Sequence, residues 1–154
     1  MITNFEYALN GNINQRLDSV TLNSQAVASF NMAYSRGRLG NFVAKIFGKP
    51  NHLQELASQP VSTRRPTNRI VSVPIKQIKG TFGRSTDFDA NFNPLQERSR
   101  SRWISILTAI QLGVSLPPVE LVQVGETFFV RDGHHRISVA KALQQEAIEA
   151  HIVS

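Results

Sequence analysis

Asp132-Gly133-His134-His135-Arg136 is the densest group of potentially reactive side chains in the sequence, and it stands where a strand pattern gives way to a helix pattern. Thr127-Phe128-Phe129-Val130 reads as a strand, and Ile137, Val139, Ala140 and Leu143 recur at helical spacing from His134 to Leu143. A helix that starts there points its first amides and the positive end of its dipole out of the sheet's end, which suits an anion. Gly133 lets the backbone approach a phosphate closely. Arg136 in the first turn can grip phosphate oxygens with its planar fork, and His134 and His135 add donors whose charge changes near neutral pH. Gly133, His134, His135 and Arg136 are therefore the expected ligand contacts. A plainer reading stays open, in which Asp132 is an ordinary cap and both histidines are surface residues of a strand-to-helix joint.

Further groups compete for roles around that turn. Asp87 and Asp89, two apart in a loop, are candidate oxygen ligands for Mg²⁺ beside bound phosphates; such pairs also serve to cap turns. Arg84 and Arg98 are two further cations in and after that loop. Arg98, Arg100 and Arg102 fan around a helix at about 100° per residue, so they make no single stripe and read as a solvated helix start. Zinc is disfavoured, because adjacent histidines ligate one ion only with awkward geometry. Phe82, Phe88 and Phe92 crowd one loop, where packing is preferred to stacking on a base.

The elements that must position these groups fall into two halves. Residues 1–22 are rich in asparagine without a sustained period and predict a partly ordered arm. Val27, Phe30, Tyr34, Leu39, Phe42, Val43 and Ile46 then recur at spacings near three and four, the mark of one or two amphipathic helices. Gly37 and Gly40 are expected to interrupt them, and Gly48-Lys49-Pro50 to end them. The Phe30–Ile46 face is expected to dock on a sheet, or to serve as a partner surface if it stays open. A turn of helix is expected at Leu53–Ala57 and a linker at 58–69.

After that come a strand around Val73–Ile78, whose Pro74 argues for an edge or a strand start, and a loop over residues 80–94. A helix follows over Glu97–Leu112 with Trp103, Leu107 and Ile110 on one stripe. Next is a hairpin of Val119–Val124 with Thr127–Val130, turning at Gly125-Glu126. The helix after Gly133 and a strand over Ala147–Val153 close the order. The predicted class is α+β, with a helical N-terminal extension over 1–69 and a small mixed sheet with helices over 70–154.

At 154 residues the chain suits one core, and with hydrophobic residues at 41% it is globular in class rather than disordered. Cysteine is absent, which excludes disulfides, thiolate zinc sites and a cysteine nucleophile. Neither a secretory signal nor a membrane span is visible, so a cytoplasmic protein without membrane contact is expected. A formal net charge of +6 favours anionic partners, namely nucleotide or nucleic acid.

The stretch Phe129-Val130-Arg131-Asp132-Gly133-His134-His135-Arg136-Ile137-Ser138-Val139-Ala140 resembles the phosphate motif of the ParB/sulfiredoxin group, a Gly-x-x-Arg at a helix start. The first strand, the helix around Trp103 and Pro117-Pro118-Val119 follow that group's order, and the resemblance spans residues ~70 to 154. The chain also resembles small bacterial proteins of the ParB N-terminal type. What the resemblance implies is a nucleotide-binding module that holds the phosphates of CTP or ATP, with Mg²⁺, through Gly133, His134, His135 and Arg136, helped by Arg84, which is preferred to its rival Arg98 because it follows the first strand, where the group keeps a polar clamp. Its role would be that of a switch or a slow phosphohydrolase.

His134 stands where sulfiredoxin carries its catalytic cysteine, so sulfinic-acid reduction is excluded. With 18 residues after Arg136, any DNA association is expected to lack sequence-specific readout. Two other functions stay open. One is a ParB-like nuclease or DNA-associated protein with His134 or His135 as general acid or base and Asp87, Asp89 or Asp132 on a metal. The other is a non-enzymatic interaction module, and a homodimer is compatible with each.

Overall fold

The loop that follows β3 and the turn that precedes α3 meet over the middle of one mixed sheet, and the rest of the chain is arranged to hold them there. The computed structural model describes the backbone of residues 4–56, 69–83 and 86–153, with side chains from residue 18 onward. Its elements are α1 (Asn4–Ile46), β1 (Gln54–Glu55), β2 (Ile70–Pro74), β3 (Ile78–Thr81), α2 (Arg100–Gln111), β4 (Val119–Val124), β5 (Thr127–Asp132), α3 (His134–Ala142) and β6 (Ala147–Val153). The sheet order is β1-β3-β5-β4-β6-β2. β3 lies parallel to β1 and β5, β4 lies parallel to β6, and the β4–β5 hairpin and the β2–β6 pair are antiparallel. This is the α+β class with a small mixed sheet and an N-terminal helix that the patterning predicts.

Several local expectations change. Residues 4–22 are helical rather than a partly ordered arm, because α1 starts at Asn4. No proline precedes Pro50 and Gly11 is the single glycine before Gly37, a cost of only about 1 kcal/mol to the helix. Gly37 and Gly40 lie inside α1 rather than interrupting it. Their role is close approach: a Cβ at Gly37 would stand 2.9 Å from the Pro94 carbonyl oxygen, and one at Gly40 would stand 3.0 Å from Asn51 Nδ2. The turn of helix expected at Leu53–Ala57 is instead β1, which extends the sheet beyond β3. The expected first strand is divided: β2 ends at Pro74 on the sheet edge, a short 3₁₀ turn spans Ile75–Gln77, and β3 follows in the interior of the sheet. The linker expected at 58–69 lies, apart from Arg69, outside the described residues.

Two apolar clusters form the core. Against the sheet, Leu53, Val73, Ile78, Phe88, Phe92, Val119, Leu121, Phe128, Val130, Ile137 and Ala150 pack together. On the helical side, Ala26, Phe30 and Ala33 of α1 meet Trp103 and Leu107 of α2 and Val139 of α3. The α1 face thus docks on helices, not on the sheet. Phe30 meets the Trp103 ring edge-on at 5.7 Å between centroids, and the indole N–H donates to Ser138 Oγ at 2.9 Å. α3 joins the clusters, with Ile137 facing one and Val139 the other, which fixes the direction of its first turn.

Candidate functional site: the start of α3

β5 delivers the chain to Gly133, which adopts φ 99°, ψ 20°. That left-handed conformation is readily available to glycine. The site is also too tight for any side chain: a Cβ there would stand 2.5 Å from Val119 Cγ1 and 2.8 Å from Val119 Cβ. β4 and β5 change register between Glu120 and Leu121, and this irregularity sets the end of the hairpin beside the turn. Helical bonding begins with the Ile137 N–H donating to the Gly133 carbonyl at 3.0 Å, and no side chain caps α3 at its first residue. The dipole of a nine-residue helix therefore ends at a turn that presents backbone rather than a capping oxygen.

The adjacent histidines are not equivalent. His134 is buried, with its Nε2 2.5 Å from Thr81 Oγ1 on β3 and its ring stacked on Phe88 at 6.1 Å. His135 is half-buried and meets the same Phe88 ring edge-on at 5.3 Å. Thr81 and Phe88 thus hold the His134 ring, and Phe88 also meets His135. Neither was singled out for this from sequence, since a threonine 53 positions away carries no local signal.

Arg136 has a 14% exposed side chain held from two sides. One Nη donates to the Pro117 carbonyl at 3.0 Å and the other to Asp132 Oδ2 at 2.6 Å. Asp132 is 63% exposed at its side chain and so presents a carboxylate at the rim, directed at Arg136. A cavity of about 230 Å³ opens over this group. It is lined by residues 132–136, by Leu116 and Pro117, and by Arg102 and Ile106 of α2. Arg102 is the one of the three fanned arginines that reaches it; Arg98 pairs with Asp87 at 2.7 Å and Arg100 with Glu97 at 3.0 Å. A second cavity of about 370 Å³ shares Leu116, Pro117 and Arg136 and runs on between the end of α2 and the start of β6.

The acidic loop residues are placed differently from the expected metal set. Asp87 holds Arg98. Asp89 is buried and accepts the Asn91 N–H at 2.9 Å, the Asn93 N–H at 2.8 Å and the Asn93 side-chain amide at 2.9 Å, so it organises the loop turn. Asp132 does not join them: among the described residues no group of three or more His, Asp or Glu side chains is placed to hold a metal ion. Phe88 and Phe92 are buried, as the packing reading expects. Arg84 lies outside the described residues, as do Arg64 and Arg65 of the basic stretch before β2. Lys141, near the end of α3, has its ammonium 4.9 Å from the Phe92 ring centre. Burial and, less strongly, the nearby Lys79 lower its pKa, against a smaller opposing pull from Asp89.

The fold and site together define an α+β protein with a glycine-led helix start over a small arginine-lined cavity. No protein-family model and no curated protein matches the sequence. Among solved structures, sulfiredoxin from Arabidopsis thaliana is similar, with a TM-score of 0.40 and 20% identity over 55% of this chain and 83% of that one. A free serine kinase in complex with AMP is similar with a TM-score of 0.42 and 16% identity over 66% of this chain, which spans 36% of the kinase's length. Among the described residues no helix is long and apolar enough to cross a membrane.

Proposed function

We propose that this protein is a nucleotide-binding module that seats a phosphate group on the first turn of α3. The observation that carries the proposal is the Gly133 turn, which delivers a helix without a side-chain cap into a cavity bordered by Arg102 and Arg136. Phosphate oxygens take the place of the Asp132 carboxylate on Arg136, and Arg102 supplies the second cation. The sugar and base extend past Pro117 into the adjoining cavity. The two cavities together fall within the usual size of a small-ligand site. The positive net charge raises the local concentration of such anions.

Within this reading His134 is a positioning residue, since its ring is spent on Thr81 and Phe88. His135 meets Phe88 edge-on and lines the same cavity, where it borders the proposed ligand. The proposal is one of binding, and a switch fits it without chemistry at the phosphate. Calorimetric titration of the purified protein with CTP, ATP, GTP and AMP, each with and without Mg²⁺, tests it. Saturable binding of at least one nucleotide, lost in Arg102→Ala and Arg136→Ala, is expected. Absence of saturable heat with every nucleotide at about millimolar concentration, which corresponds to about −4 kcal/mol, would refute it.

A further inference from the structure

The C-terminal half of α1 carries two apolar faces. At about 100° per residue, Ala26, Phe30, Ala33 and Gly37 share the face that packs inward. Leu39, Val43 and Ile46 lie on the roughly opposite one. That second face is open: Leu39 is 64%, Phe42 62%, Ile46 63% and Phe47 72% exposed. Beside it runs a groove of about 750 Å³, walled by Leu39, Val43 and Phe47 on one side and by Lys49–Asn51 and the Asp89–Asn93 loop on the other. Contiguous apolar surface of this kind marks a contact site.

Charge says what fits there. Arg36 and Lys49 line the groove, Arg38 and Lys45 flank the open face on its other side beside Tyr34 and Phe42, and no aspartate or glutamate occurs between Asp18 and Glu55. Asp89 does border the groove, with its carboxylate turned onto Asn91 and Asn93. We propose that this groove docks an amphipathic helix of a partner protein, one whose apolar stripe is flanked by aspartate and glutamate. A second copy of this chain fits poorly, because a symmetric contact about the stripe would set the four cations against their counterparts. A bilayer surface would meet Phe42 and Ile46 and leave the concave wall of Leu39, Val43 and Phe47 unfilled. The groove shares no lining residue with the cavity at the start of α3, so its occupant need not compete with a nucleotide.

Fluorescence anisotropy with a labelled synthetic helix tests this. The probe has about 18 residues, leucines at positions i, i+3, i+4 and i+7, and flanking glutamates; its isomer carries lysine for every glutamate. Saturable binding of the acidic probe is expected, weakening as salt rises, with the lysine isomer roughly tenfold weaker or worse. Leu39→Asp and Phe47→Asp should abolish binding at an unchanged unfolding midpoint, since both side chains are exposed. The double variant Arg36→Glu, Lys49→Glu should prefer the lysine probe. Equal affinity for both probes, no saturation with the acidic one, or undiminished binding by Leu39→Asp would overturn the proposal. So would sedimentation of a dimer that Leu39→Asp dissociates, or association with phosphatidylglycerol vesicles without binding of the acidic probe.

Discussion

Gly133→Ala is expected to remove about 2–5 kcal/mol of folding stability, through two effects that the local geometry separates. The φ of 99° costs a non-glycine residue about 1–2 kcal/mol. The added methyl would stand 2.5 Å from Val119 Cγ1, and overpacking of this kind costs about 1–3 kcal/mol. Asparagine tolerates positive φ but brings the same Cβ, so Gly133→Asn should keep the second cost and shed much of the first. Val119→Ala removes the nearest atom and leaves Val119 Cβ at 2.8 Å. Combined with Gly133→Ala, it should show a favourable coupling of about 1 kcal/mol. Equilibrium urea unfolding of the four proteins of this cycle and of Gly133→Asn reads these numbers. A Gly133→Ala loss below about 0.5 kcal/mol would refute the tight-turn argument. Full recovery in Gly133→Asn would show that only the dihedral matters. The same Cβ would lie 3.0 Å from Arg136 Nη2, so phosphate affinity should fall in whatever folded Gly133→Ala remains.

Other outcomes follow from neighbouring contacts. Asp132→Asn removes a carboxylate that already occupies Arg136; a pair open to water through its aspartate is worth about 0–1 kcal/mol, so nucleotide affinity should rise by up to about fivefold in calorimetry, and a fall would contradict competition. Ser138→Ala takes away the acceptor of the buried Trp103 N–H and should lower urea stability by about 1–3 kcal/mol; a change below about 0.5 kcal/mol would mean that the indole finds another partner. Lys141 has its folded-state pKa lowered from 10.5, chiefly by burial. Over the window between that lowered value and 10.5 the unfolded chain binds more protons, so this residue makes stability rise with pH there. Lys141→Met should flatten that rise in pH-dependent unfolding; an unaltered slope would contradict the burial argument.

What was legible in the sequence was whatever local pattern determines. The β4–β5 hairpin at Gly125-Glu126, the Trp103–Leu107 stripe and the Gly133 turn each follow from periodicity or turn chemistry within about a dozen residues. What escaped depends on distant partners. Gly37 and Gly40 read as breakers until Pro94 and Asn51 approach them. Asp87 and Asp89 read equally as turn caps and as candidate metal ligands, and only the positions of Arg98 and Asn93 show which groups their oxygens meet. The division between His134 and His135 is invisible because Thr81 and Phe88 are supplied by other parts of the chain. Arg102 was unreadable for a different reason: three arginines at alternate positions point three ways, and only packing of α2 against α3 decides which one meets the cavity.

The pairing of Arg136 with Asp132 changes what binding at this turn would require. A free arginine on the surface would lose side-chain freedom when it closed on a phosphate. Arg136 is already held by the Pro117 carbonyl and buried to 14% exposure, so most of that ordering is complete before a ligand arrives. The proposed ligand then has to exchange one carboxylate for another anion. Because Asp132 sits at the exposed rim, it can turn into water at little cost in desolvation. An exchange of this kind favours anions of higher charge that also reach the α3 dipole and Arg102, which chloride or a lone carboxylate cannot do at once. A phosphate ester meets all three, and that is why these five residues, though engaged with protein partners, still support the proposed phosphate site.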